Sequence, residues 1–393
     1  MLVALLLFQM VSMSLTSVLF AAHPQVILAA FLVTAIPFSA TLLLHAERVR
    51  LLSLLIWAGI IFLALCFGYL FNPLSIEPAA RVLVVFLVFA FGWASAIMIR
   101  PSAIAQSMLV AGAAGLIATA IQLYREGLSG YFEEGERLTG GDESHPNLVG
   151  LTMVCVALCG SSASNLLVRY AFWVASFAIS SMVQSRNAMM ALLIILAVYL
   201  WRDVARRLNA AGVGVVVLLA TIGLAFSLEP LLEAFSDLFQ LDNPYRGTNS
   251  NLVGRAELWQ ATWNLFTDYP IFGFGLGQHQ IGAGIDMYAH NMYLILLSEG
   301  GQVGFIAFVA ATAIALRGLF TDGRDSGQDA SRLVFALSLT VVTYYVYGIF
   351  EGRAVNAGNF LSYLFFFAWG YGICCFDRAR NSAPFRVRDM QAQ

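Results

Sequence analysis

The chain has no lysine. All 21 of the cationic residues among its 393 are arginines, so any anion it binds must be met by guanidinium groups or backbone donors. Charge of either sign is scarce, at 11% of residues against 60% hydrophobic. A soluble globular domain carries about 25% charged residues, so that class is excluded. Cysteine is sparse as well. Cys66, Cys155, Cys159, Cys374 and Cys375 all lie within apolar runs and none in a polar loop, which excludes a disulfide framework. Cys155 and Cys159 read as small buried hydrophobes. The apolar runs show no period-two alternation, which excludes barrel strands. The opening stretch MLVALLLFQMVSMSLTSVLFAA lacks a basic leader and reads as a retained span, not a signal peptide.

What the chain has in quantity is apolar runs of about 20 residues, the length of a membrane-crossing helix. The reading is an all-α polytopic integral membrane protein, one membrane domain over 1–393, with about twelve transmembrane helices. The candidates lie near 2–20, 25–44, 51–71, 81–99, 103–123, 147–160, 166–182, 187–201, 211–228, 291–316, 333–350 and 360–376. Arginine bias orients them. Fourteen arginines fall in one set of loops and the tail 377–393, and seven fall on the opposite side. The richer side is expected to be cytoplasmic, with both termini inside.

Three outer segments interrupt the apolar pattern. Tyr124 to Asn147 is acidic and rich in glycine. A brief turn carries Ser185-Arg186-Asn187. The longest, 229–290, exceeds an ordinary connecting loop. Its seven carboxylates outnumber Arg246 and Arg255, so a basic patch for nucleic acid is excluded. Within it, Asn249-Ser250-Asn251 supplies helix-capping residues. Leu252, Ala256, Trp259, Trp263 and Phe266 then recur at helical spacing, and Tyr269-Pro270 stops the run. This predicts an amphipathic helix lying along the outer surface over the bundle.

Several residues in these segments can carry chemistry. Arg255 stands near the start of the surface helix, where a guanidinium can hold a diphosphate or simply pair with Glu257. Arg186 is the one charge between Arg169 and Arg202, a costly place that implies a cavity, a partner or snorkelling to headgroups. His290 stands beside Asn291 where polar loop becomes span, fit for a general base or for a structural hydrogen bond. Glu299 is nine residues further on, about 13 Å along a helix, and is expected to pair with a buried donor. Gly273, Gly275 and Gly277 lack the strand and spacing of a nucleotide fingerprint and read as a tight bend, with amides available to an anion. His145, His279, His290 and Asp286 show no metal-ligand spacing.

The succession of SRN at a span start, GRAELW, YPIFGFGLG and HNMYLILLSEGGQVGF, with HPN at 145–147, resembles the O-antigen ligase and polymerase superfamily of bacterial envelope glycosyltransferases. The motifs cover roughly Ser185 to Phe308, and the N-terminal spans match only in being apolar. The resemblance implies a GT-C-like membrane glycosyltransferase in the bacterial inner membrane. Its site faces the periplasm, it is inverting, and it needs neither metal nor other cofactor. The donor is a glycan on undecaprenyl diphosphate and the acceptor is linked to lipid or glycan. Arg186 and Arg255 map onto donor-diphosphate arginines and His290 onto the family histidine. His145, Tyr288, Asn291 and Glu299 are candidates for acceptor or neighbouring contacts. Ligase and polymerase both carry the HN-x-Y-L pattern, with a lean toward ligase. A secondary transporter or flippase fits twelve spans equally well, but the chain shows no repeat pair.

Overall fold

The computed structural model describes residues 2–19, isolated positions between 33 and 45, 50–70, 76–126, 146–205, 212, 255–325, 327–352 and 359–389. Among these there is no strand. The helices are α1 (Leu2–Leu19), α2 (Leu51–Cys66, closed by a 3-10 turn Phe67–Leu70), α3 (Ile76–Met98), α4 (Pro101–Glu126), α5 (Pro146–Gly160), α6 (Leu166–Met182) and α7 (Arg186–Ala205). Then come α8 (Arg255–Asp268), α9 (His279–Ala283), α10 (Met292–Asp325), α11 (Gln328–Tyr347) and α12 (Phe360–Asp389).

Ten of the twelve expected spans coincide with helices. The one at 211–228 lies outside the described residues, as does most of 25–44. The number twelve is not supported. Four helices are long and apolar enough to cross a membrane: Pro101–Arg125, Met292–Thr321, Gln328–Tyr347 and Phe360–Asn381. Five more are apolar but shorter. A helical membrane protein is therefore the architecture.

The outward faces agree with a lipid surround. On α2, Leu54, Ala58, Ile61 and Leu65 are buried at four-three-four spacing. The opposite face is equally apolar, with Leu52, Leu55, Ile56, Ile60 and Leu63 exposed. A helix apolar all round, yet exposed on one side, suits a bilayer and not water.

The core centres on α12. Its apolar window is 94% buried, and it packs chiefly on α10 and α3. Small residues permit the close crossings, as membrane helices require. A Cβ on Gly370 would run into the Phe89 carbonyl of α3, and one on Gly92 into the Phe367 carbonyl of α12. Aromatic packing fills the seam between α11 and α12, with Tyr344 stacked on Phe365 at 3.7 Å. Polar groups inside are chained together. Trp369 Nε1 donates to Thr312 Oγ1 at 3.0 Å, and Thr312 shares a 2.7 Å hydrogen bond with the Tyr345 hydroxyl. Buried polar groups are tolerable when paired in this way.

Charged residues sort by end. At one end Arg169 holds Asp203 at 3.2 Å, Arg50 holds Asp377 at 3.6 Å, and Arg317 lies over Phe376. The other end carries the starts of α7 and α10, with Arg186 and His290.

Gly370→Ala is expected to destabilise the bundle by about 1–3 kcal/mol, the usual range for overpacking a tight core. Gly59→Ala, in mid-helix with open space around it, should be neutral or stabilising. Thermal melting of the two purified variants in detergent checks the contrast.

Candidate functional site

Helix α10 is broken near its start. Gly301 has φ 61° and ψ −168° inside an otherwise helical run, a conformation open essentially to glycine alone. A break frees backbone groups that must find partners. They find them on the segment after Pro270. The amides of Phe274 and Gly275 donate to the carbonyls of Ser298 and Glu299, at 2.8 and 2.9 Å. In return Gln302 and Val303 donate to the carbonyls of Pro270 and Ile271, at 2.8 and 3.1 Å. The two backbones approach so closely that a Cβ on Gly273 would strike the Glu299 carbonyl, and one on Gly301 the Ile271 carbonyl. The glycine-rich stretch is thus a tight bend, as its sequence predicts, and its purpose is to plug the gap in α10. Most of the amides expected to serve an anion are already spent. Those of residues 273, 274, 275, 278 and 279 all donate inside the protein.

The break exposes the Glu299 side chain to a partner, and that partner is His279. Glu299 Oε1 receives the His279 backbone N–H at 3.2 Å and lies 2.6 Å from its Nδ1. Both side chains are almost wholly buried. The buried donor expected for Glu299 therefore exists, on His279. The Tyr288 ring stands 5.0 Å from the imidazole. Glu299, His279 and Tyr288 all line a cavity of about 690 Å³, open volume at its mouth included.

His290 occupies the left-handed region at φ 49°, unusual for a non-glycine residue. Its Nδ1 lies 3.2 Å from Glu351 Oε1. The imidazole side chain is 24% exposed, whereas the carboxylate is 2% exposed. The local fold explains the placement. Asn291 caps α10 by accepting the Leu294 N–H at 3.0 Å, and the Met292 amide donates to the Gly348 carbonyl at 2.8 Å. These bonds draw the segment after α11 against the start of α10. Gly352 fits there because a larger residue would press on Ile295.

The remaining candidates converge on the same end. Asn187, next to Arg186 at the start of α7, donates to the Phe350 carbonyl at 3.2 Å, one residue before Glu351. Arg255 opens α8, and Trp259 on that helix donates to the Ala289 carbonyl at 2.6 Å, one residue before His290. Tyr347 donates to the Asn147 carbonyl at 3.3 Å, which brings in the start of α5. His145 lies outside the described residues. Arg186 and Arg255 are both half-buried. Among the described residues, no three His, Cys, Asp or Glu side chains gather as metal ligands do.

The surface helix is real, but its packed face differs from the expected stripe. Thr262 and Leu265 are buried, Trp263 is 45% exposed, and Ala256 is exposed. Thr262 is easily buried because its hydroxyl bonds the Leu258 carbonyl at 2.7 Å. In a lipid surround an apolar side chain has no need to turn inward, so apolar spacing alone did not identify the contact face.

Glu351 was missed by sequence reasoning. Its signal was faint: a carboxylate just past a span end, 61 residues from its histidine.

Residues 170–309 match the family model described as O-antigen ligase. The matched segment contains Arg186, Arg255, His279, His290 and Glu299, while Glu351 lies beyond it. No curated protein matches the chain.

Gly301→Ala is expected to open the junction between the bend and α10, since both its φ and its space forbid a Cβ. Limited proteolysis after Tyr269 and Phe272 should accelerate at least tenfold relative to wild type, a change of about 1.4 kcal/mol in local opening.

Proposed function

We propose, from a chain that carries an O-antigen ligase segment at 170–309, a membrane glycosyltransferase of ligase type. The match supports the O-antigen ligase and polymerase superfamily, whose members are glycosyltransferase-like enzymes. In this reading the chain moves a glycan from undecaprenyl diphosphate to an acceptor hydroxyl, without a metal ion and with inversion. The site is the end of the bundle that carries His290. Arginine bias supports assigning that end to the periplasm and the Arg50–Asp377 end to the cytoplasm, with the protein in the bacterial inner membrane.

The observation that carries the proposal is the His290–Glu351 pair. A buried carboxylate that accepts the Nδ1–H fixes the tautomer, so that Nε2 keeps its lone pair. The partly exposed imidazole then takes the proton of the attacking hydroxyl. The acceptor oxygen bonds to the anomeric carbon as the bond from that carbon to the diphosphate oxygen breaks. The negative charge developing on the leaving diphosphate calls for fixed cations. Arg186 and Arg255 are the candidates, because Asn187 and Trp259 tie their helices to the residues flanking Glu351 and His290. A lipid-linked donor arrives sideways from the bilayer, and the half-exposed α8 lies over that approach.

In membranes supplied with lipid-linked glycan, His290→Ala should slow transfer by about 10² to 10⁴-fold. Arg186→Ala or Arg255→Ala should each slow it by about 10² to 10³-fold. Glu351→Gln should cost about 100-fold by misorienting the base. Normal transfer in all four variants, with normal protein levels, would overturn the site. Deleting the gene and separating surface glycans by electrophoresis tests the class. Loss of all long chains from the acceptor while lipid-linked polymer accumulates marks a ligase. A single repeat unit left on the acceptor marks a polymerase, and unchanged glycan with altered solute or lipid movement marks a transporter.

A further inference from the structure

Three arginines from three helices meet at the end of the bundle opposite His290. Gly304 of α10 lies against Ala64 and Leu65 of α2. The two helices run antiparallel, since Gly68 beyond α2 meets Gly275 of the bend while Arg50 at the cap of α2 meets Asp377. Arg50 and Arg317 each stand about 20 Å along their helices from the Gly304 contact, at 1.5 Å per residue. They are therefore level with each other, and α12 joins them. Arg50 lies 3.6 Å from Asp377, and the Arg317 guanidinium lies 5.5 Å from the centre of the Phe376 ring. Arg380 follows Phe376 by four residues and Asp377 by three, so it shares their face of α12.

The charges at this corner do not balance. Asp377 is a single carboxylate, and it is spent on Arg50. Arg50 holds it from a left-handed backbone at φ 53°, a strained state for a residue with a side chain. Phe376 holds the Arg317 guanidinium against its ring face, which fixes the group without cancelling its charge. Among the described residues, no carboxylate pairs with Arg317 or Arg380. A surplus of two positive charges is left, on side chains that are exposed. The same helices present hydrocarbon to their surroundings, with Leu52, Leu55 and Ile56 of α2 and Val309 of α10 exposed. The arginines thus stand at the rim of an apolar surface. A soluble anion would meet the charges alone, whereas a phospholipid meets both, phosphate to guanidinium and chains to the apolar faces.

We propose that the corner formed by Arg50, Arg317 and Arg380 binds the headgroup of an anionic phospholipid. Arg317 and Arg380 take the phosphate, and Arg50 completes the positive rim while remaining paired with Asp377. Such a lipid joins α2 and α10 to the end of α12, where the three helices would otherwise repel one another through like charge. The site lies at the far end of the bundle from Arg186, Arg255 and His290, and it stands whether or not glycan transfer is the activity.

Native mass spectrometry of the full-length protein tests this, after delipidation in detergent and titration with phosphatidylglycerol or phosphatidylcholine. Phosphatidylglycerol should bind at least about tenfold more tightly, since its phosphate charge is not cancelled within the headgroup. Arg317→Gln combined with Arg380→Gln leaves the Arg50–Asp377 pair intact. It should weaken phosphatidylglycerol about 25-fold, at roughly fivefold per arginine, and leave phosphatidylcholine unchanged. Arg125→Gln combined with Arg332→Gln removes as many cations elsewhere and should weaken binding less than about twofold, because charges further off than a Debye length are screened. Arg380→Gln alone alters one exposed side chain and should cost about fivefold, so it decides the matter if the double variant fails to fold. Equal binding of the two lipids, equal weakening by the control pair, unchanged binding in Arg380→Gln, or displacement of phosphatidylglycerol by millimolar inorganic phosphate would overturn the proposal.

Discussion

The exchange of four backbone hydrogen bonds between the Pro270–Gly275 bend and the break at Gly301 is the constraint on which the His290 end depends. An interrupted helix in a bilayer leaves amides and carbonyls that neither lipid nor helix can satisfy. Here a second segment satisfies them. The docking fixes α8 and α9 relative to α10, and with them Trp259, His279 and the loop leading to His290. Two glycines with positive φ in the bend, Gly273 and Gly275, and Gly301 at the break are the condition for that approach. The polar residues of this end are therefore positioned by a backbone junction, with side-chain packing as a second layer.

Two histidine–carboxylate pairs grow out of this arrangement, and their surroundings separate them. His290–Glu351 joins a partly exposed imidazole to a buried carboxylate at the mouth of the bundle. His279–Glu299 is sealed within it, at 2.6 Å. A base must meet solvent or substrate, and a sealed pair cannot. Exposure therefore favours the first pair for the proton transfer proposed above, and the second pair braces the bend against α10.

The helical membrane class was legible in the sequence because scarcity of charge and the length of apolar runs follow from bilayer thickness alone. The motif string from Ser185 to Phe308 was legible for a different reason, as a resemblance, and the matched segment 170–309 agrees with it. The break at Gly301 was not legible. SEGGQVGF lies inside an uninterrupted candidate span at 291–316, and only contact with the bend distinguishes a kink from a tolerated glycine. Glu351 was illegible because its meaning arises from a partner 61 residues away. The contact face of α8 was misjudged because lipid, unlike water, sets no preference between inward and outward apolar side chains. The donor arginines remain expectations of chemistry; Asn187 and Trp259 tie their helices to the residues before Glu351 and His290.

The burial of α12 has a consequence for how the protein is made. This helix follows every other described helix in the sequence, yet it occupies the middle of the bundle, with 94% of its apolar window covered by protein. The helices before it must enter the bilayer while the place for their central partner is still filled by lipid. Gly92 on α3 and Gly318 on α10 face positions on α12, so their close-packed surfaces wait unmatched until α12 has been made. A ribosome stalled before residue 360 therefore leaves the helices described before it without the partner that covers their inner faces.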